Sequence, residues 1–80
     1  MQIDDIKSLI LATIPDAVLD VQVDGNHVGL TVVSDQFEGL NAVKKQQLVY
    51  SCLQEQISSG VIHAVHMKTY TPAEWQAAKG

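Results

Sequence analysis

Eighty residues leave room for one domain, 1–80, which would bury only about 60–65% of the surface its unfolded chain exposes; this is one core, with no second lobe to close over a substrate. With 46% hydrophobic and 18% charged residues and no low-complexity tract, the composition excludes a disordered chain. The net charge of −4 opposes long-range attraction to a phosphate backbone, so a nucleic-acid site would have to be a local patch.

The only cysteine, Cys52, rules out an intramolecular disulfide or a Cys-rich metal site and fits a reducing cytoplasm. Met1 to Lys7 carry two aspartates and do not read as a signal peptide. The longest apolar runs, such as Leu9-Ile10-Leu11-Ala12, fall far short of the ~20 residues of a membrane span, so a soluble chain is expected.

Residues 2–14 place Ile3, Ile6, Leu9, Ile10 and Ile14 at helical spacing until Pro15-Asp16 stops them. In residues 18–23, Leu19, Val21 and Val23 alternate with Asp20 and Gln22, and Asp24-Gly25-Asn26 supplies a hairpin turn. The returning strand, 27–33, puts Val28, Leu30 and Val32 on one face and His27, Gly29, Thr31 and Val33 on the other. Residues 34–39 read as a loop or a single helical turn, the most exposed connection in the chain. The longest helix is expected over 40–58, with Val43, Leu48, Val49, Cys52, Leu53 and Ile57 as its apolar positions and Gly60 beyond its end.

A third strand follows over 61–69, with Val61, His63, Val65 and Met67 on one face and Ile62, Ala64, His66 and Lys68 on the other. Thr71-Pro72-Ala73-Glu74 then reads as an N-cap, a first-position proline and a capping-box glutamate opening a short terminal helix. The order α-β-β-α-β-α leaves enough chain between the last two strands for a parallel crossover, which predicts a three-stranded mixed sheet covered by helices.

If strands two and three are parallel neighbours, His27 and His63 lie near their starts at one end of the sheet. Strands about 4.8 Å apart would bring both imidazoles within reach of one bridging group, with register and face left open by the pattern. Taken singly, a histidine at a strand end is ordinarily a solvated side chain, although imidazole is also the commonest metal ligand. His66, one step out of phase with His63, is expected on the opposite face, at the surface. Cys52 sits among apolar neighbours as an inert core thiol. Lys44 and Lys45 are candidate phosphate contacts, but two lysines at a helix start more often form a solvated face. Tyr70 and Trp75 read as anchors for the terminal helix. No phosphate-loop, dinucleotide or HExxH motif occurs, and no nucleophile–base pair can be assembled, so an enzyme is the least supported class.

Several stretches carry a family resemblance: His27-Val28 to Thr31-Val32-Val33-Ser34, Phe37-Glu38-Gly39, Val43-Lys44-Lys45-Gln46-Gln47 to Tyr50, and Ile62-His63-Ala64-Val65 to Lys68-Thr69-Tyr70-Thr71-Pro72-Ala73-Glu74-Trp75. Together they resemble the BolA family over nearly the whole chain, and the Val-Lys-Lys-Gln-Gln and Tyr-Thr-Pro-Ala-Glu-Trp pieces resemble its acid-stress-linked IbaG (YrbA) branch. The resemblance implies an α+β fold akin to the type II KH domain and a non-enzymatic role with a monothiol glutaredoxin in iron–sulfur trafficking. It also implies that His63 is a ligand of a shared [2Fe-2S] cluster and that a second ligand comes from the loop before strand two, here His27. A glutaredoxin cysteine and a glutathione thiolate would then hold the other iron, and imidazole in place of thiolate would raise the cluster's potential.

Two departures bear on this. The position after His27, commonly aromatic in relatives, is Val28, and His66 lies outside the pattern, leaving His27 or His66 as the second ligand. The alternative function is a KH-like nucleic-acid-binding regulator. Such domains clamp the backbone with a GxxG loop, whereas the candidate loop here, Asp35-Gln36-Phe37-Glu38-Gly39, has one glycine and two acids.

Overall fold

Ile6 and Ile10, one helical turn apart, form the buried stripe of the first helix, α1 (Ile3–Thr13), in the computed structural model, which describes residues 2–79. The Gln2 backbone N–H donates to the Asp5 carboxylate at 3.0 Å, satisfying a group at the open helix start. Ile14 leaves the helical region at φ −124°, as expected of a residue before proline, and its side chain is wholly buried.

Strands β1 (Val18–Asp24) and β2 (His27–Val33) form an antiparallel hairpin from Val18↔Val33 to Asp24↔His27. The two-residue turn depends on Gly25 at φ +61°, which a side chain would strain. As the alternation predicts, Val28, Leu30 and Val32 are buried against the helices.

The connection after β2 is the single helical turn expected, exposed at residues 35, 36, 38 and 39 but anchored at two points. Ser34 and Phe37 are buried, and the 3₁₀ turn Asp35–Phe37 is tied down by the Asp16 carboxylate, which accepts from the Ser34 hydroxyl at 2.8 Å and the Asp35 N–H at 2.9 Å. The Ser34 hydroxyl in turn accepts from the Gln36 N–H at 3.0 Å. The Ser34 hydrogen bond above all, opposed by desolvation and helped by the Asp35 N–H, holds the Asp16 carboxyl below its ordinary range.

Helix α2 (Ala42–Ser58) starts two residues later than the apolar spacing suggests, because Asn41 is its cap: the Asn41 side-chain oxygen accepts from the Lys44 N–H at 2.9 Å. Its buried stripe is Lys45, Val49 and Leu53, spaced four apart. Val43, expected in that stripe, is 62% exposed, and the Lys45 stem takes the place one would assign to an apolar residue.

The sheet is closed by β3 (Ala64–Tyr70), which pairs in parallel with β2 from His27↔Ala64 to Val33↔Tyr70, giving the order β1-β2-β3. The expected start at Val61 is too early. Gly60 at φ +83° ends α2, and the Ile62 N–H donates to the Gln56 carbonyl at 3.1 Å, so residues 61–63 belong to the close of the helix. The faces assigned to them fail accordingly: Ile62 is in the core and Val61 is exposed. From Ala64 onward, Val65 and Met67 pack toward the core while His66 and Lys68 are exposed.

Helix α3 (Pro72–Lys79) begins with the expected capping box: the Thr71 N–H donates to Glu74 Oε1 at 2.8 Å, and the Glu74 N–H to Thr71 Oγ1 at 3.2 Å. The Tyr70 and Trp75 rings meet with centroids 5.3 Å apart. Lys45 Nζ reaches the same Glu74 oxygen at 2.8 Å, joining α2 to α3. This hydrogen bond first, and the Thr71 N–H second, lower the Glu74 carboxyl from 4.5 to about 2. A carboxyl depressed on folding adds stability above its unfolded value, and that stability is lost as pH falls through the folded one. Glu74→Gln should therefore lower the urea midpoint at neutral pH and flatten the acid loss of stability between 4.5 and about 2. Phe37→Ala, emptying a fully buried site, should cost about 3–5 kcal/mol in the same unfolding measurement.

Candidate functional site

The β1–β2 hairpin and the end of α2 deliver two histidines to one end of the sheet. His27 is the first residue of β2, opposite Asp24 on one side and Ala64 on the other. His63 stands immediately before β3. The Asn26 carbonyl accepts from the His63 N–H at 2.8 Å and, more weakly, from the Ala64 N–H at 3.4 Å. A single oxygen of the hairpin turn thus holds the backbone of His63 beside the residue that precedes His27.

Both imidazoles are exposed, and neither has a side-chain hydrogen bond among the described residues. The His63 ring lies over the turn that ends α2, with Nε2 3.8 Å from where a Cβ on Gly60 would sit. The C-terminal carbonyls of a helix carry partial negative charge, which favours a cation or metal-bound imidazole nearby. Among the described residues no group of three or more His, Cys, Asp or Glu side chains is placed to hold a metal ion. The two imidazoles at this end are candidate ligands, fewer than a complete coordination sphere requires.

His66 lies at the surface, as expected, but its face relative to His63 is not set by strand alternation, since His63 precedes β3. His66 pairs with Gly29 and so shares the open face of the sheet with His27, displaced by two residues along the strand, roughly 8 Å between backbone positions. The Asn26 carbonyl links His63, and not His66, to the His27 end of β2.

The remaining candidates separate cleanly. Cys52 is half-buried against the core, its Sγ 3.4 Å from the Leu48 carbonyl. Lys44 is exposed at the start of α2, but Lys45, read from sequence as part of a solvated face, is 8% exposed and paired with Glu74. A phosphate contact by Lys45 would have to break that pair. Sequence reading missed the Asn26 carbonyl, because a backbone acceptor leaves no residue-type signal. It also missed the Lys45–Glu74 pair, whose partners lie 29 positions apart.

Comparison with known proteins settles the family. The BolA-like protein family profile matches residues 14–74, and the chain belongs to that family. Within it the chain is IbaG-like: it is 41% identical over 75 residues to the acid stress protein IbaG of Escherichia coli K12, covering 94% of this chain and 89% of that protein. The fold matches a bolA protein homologue from Coxiella burnetii with a TM-score of 0.81, at 34% identity over 95% of this chain and 97% of the other. It also matches the BolA domain of SufE1 from Arabidopsis thaliana, with a TM-score of 0.80 and 30% identity over 89% and 92% of the two chains.

Gly60 is the point at which the site meets the fold. Gly60→Val should strain a backbone at φ +83° and crowd the His63 ring. The expected result is a loss of about 1 kcal/mol or more in stability, together with a displaced His63 imidazole resonance and an unmoved His66 resonance in NMR.

Proposed function

We propose that this protein is a non-enzymatic iron–sulfur trafficking factor that shares a [2Fe-2S] cluster with a monothiol glutaredoxin and glutathione, with His63 and His27 as its ligands. The observation that carries this reading is the Asn26 carbonyl that fastens His63 beside the start of β2, leaving two exposed, unbonded imidazoles at one end of the sheet. In a [2Fe-2S] cluster each iron has two bridging sulfides and two protein ligands. Two imidazoles are thus the full protein share for one iron, and the partner's thiolate and glutathione supply the other.

The residues of this chain have definable tasks in such a complex. His63 and His27 must present unprotonated nitrogens, so cluster binding should weaken in acid. The Gly60 turn leaves room for the His63 ring, and the hairpin fixes the position of His27. Similarity to an acid stress protein supports a physiological link to acid, and the lone cysteine fits a reducing cytoplasm as the site of action.

Anaerobic reconstitution with a monothiol glutaredoxin and glutathione tests the reading. A red-brown heterodimer should form whose visible absorption and circular dichroism change on His63→Ala, while the far-ultraviolet spectrum of the apoprotein is unaltered. His27→Ala should perturb the cluster spectrum more than His66→Ala. A complex indifferent to His63 would overturn the assignment.

A further inference from the structure

The open face of the sheet carries a second feature, independent of the histidine pair. Gly29 occupies the middle of the central strand, with Gln22 on β1 and His66 on β3 in the same row. In the next row Asp20, Thr31 and Lys68 lie side by side. The six residues share with Leu30, Val65 and Met67 of the sheet and Gln46 and Tyr50 of α2 the lining of an open concavity of about 590 Å³. That size falls in the range of small-molecule sites, roughly 300–1,000 Å³.

Glycine in mid-strand weakens a sheet and requires a reason. The backbone supplies none: Gly29 is absent from the glycines at positive φ, and its pairing is in register on both sides, without a bulge. Packing supplies none either, since an added Cβ would make only ordinary contact, 3.7 Å from Gln22 Cβ and 3.8 Å from its Oε1. What a side chain at this position would do is fill the concavity.

The surrounding groups are unused. Among the described residues none of the Asp20, Gln22, Thr31, His66 or Lys68 side chains makes a hydrogen bond or ion pair within the chain; the ion pair present is Lys45–Glu74. Their charges are ordered, with the carboxylate on β1 and the ammonium on β3, where the His66 imidazole adds a polar group. Asp20 and Lys68 stand two strand spacings apart, roughly 9–10 Å between backbone positions, and their side chains do not pair with each other. Three residues of extended peptide span at most about 10 Å.

We propose that the Gly29 concavity binds a short zwitterionic peptide of about three residues, its ammonium end on Asp20 and its carboxylate end on Lys68 and His66. Gly29 lets the peptide backbone approach the sheet, and Gln22 and Thr31 serve its amides. The test is a titration of the ¹⁵N-labelled full chain with triglycine, and in parallel with N-acetyl-triglycine amide, which lacks both terminal charges. Triglycine should give saturable shifts at residues 20, 22, 29, 31, 66 and 68, with millimolar affinity. Gly29→Leu and the surface change Lys68→Gln should each weaken it about tenfold, equivalent to about 1.4 kcal/mol, and the capped peptide should bind no better than the Lys68→Gln variant binds triglycine. Absence of saturable shifts, equal binding of the capped peptide, or full affinity in Lys68→Gln would overturn the proposal.

Discussion

The parallel pairing of β2 with β3 is the constraint on which the rest of the structure depends. Unlike the hairpin, which a two-residue turn can close, it needs all of α2 as a connector and a sharp reversal at Gly60 to bring the chain back in register. The core follows from it: Val28, Leu30 and Val32 present one face to Val49 and Leu53 of α2 and Ile6 and Ile10 of α1. So do both surface features. The same register that sets Ala64 beside His27 at the sheet end sets His66 beside Gly29 and Lys68 beside Thr31 on the open face.

The helices, held chiefly by the buried stripes along their lengths, are also fixed by polar contacts at their ends. Asn41 starts α2, Asp16 anchors the turn before it, and Thr71 with Glu74 starts α3. Lys45 adds a further role by bringing its ammonium out of a buried position to the glutamate that caps another helix. An exposed ion pair is worth little in water. Here the charge also satisfies a lysine whose stem is already committed to the interior, where an unpaired ammonium would be costly.

Much of this was legible in the residues. The α-β-β-α-β-α order, the hairpin with its Asp-Gly-Asn turn, the bounds of β2 and the Thr-Pro-Ala-Glu cap all follow from local rules, and each such rule involves residues within a few positions of one another. The misreadings share a cause. Val61 looked like strand because apolar β-branched residues suit one, yet the Gln56 carbonyl claims the following N–H for the helix end. Val43 looked like core because it is apolar, and Lys45 like surface because it is charged, while Glu74, far along the chain, reverses the second assignment. At the candidate site the resemblance named the histidines. Their shared end of the sheet could be argued from topology, but the Asn26 carbonyl that joins them could not be read from side-chain chemistry.

The span between the two histidines has a kinetic consequence. The hairpin and the helices are local and can form early, whereas β2–β3 pairing must close a loop containing the whole of α2 before any contact offsets the lost chain entropy. During synthesis His27 emerges well before His63, and the two become neighbours only when the last strand docks. A partly folded or nascent chain therefore displays each imidazole alone, a weak ligand, and the paired arrangement exists only in the finished fold. On the ligand role proposed for the two histidines, folding itself would thus guard against premature capture of metal.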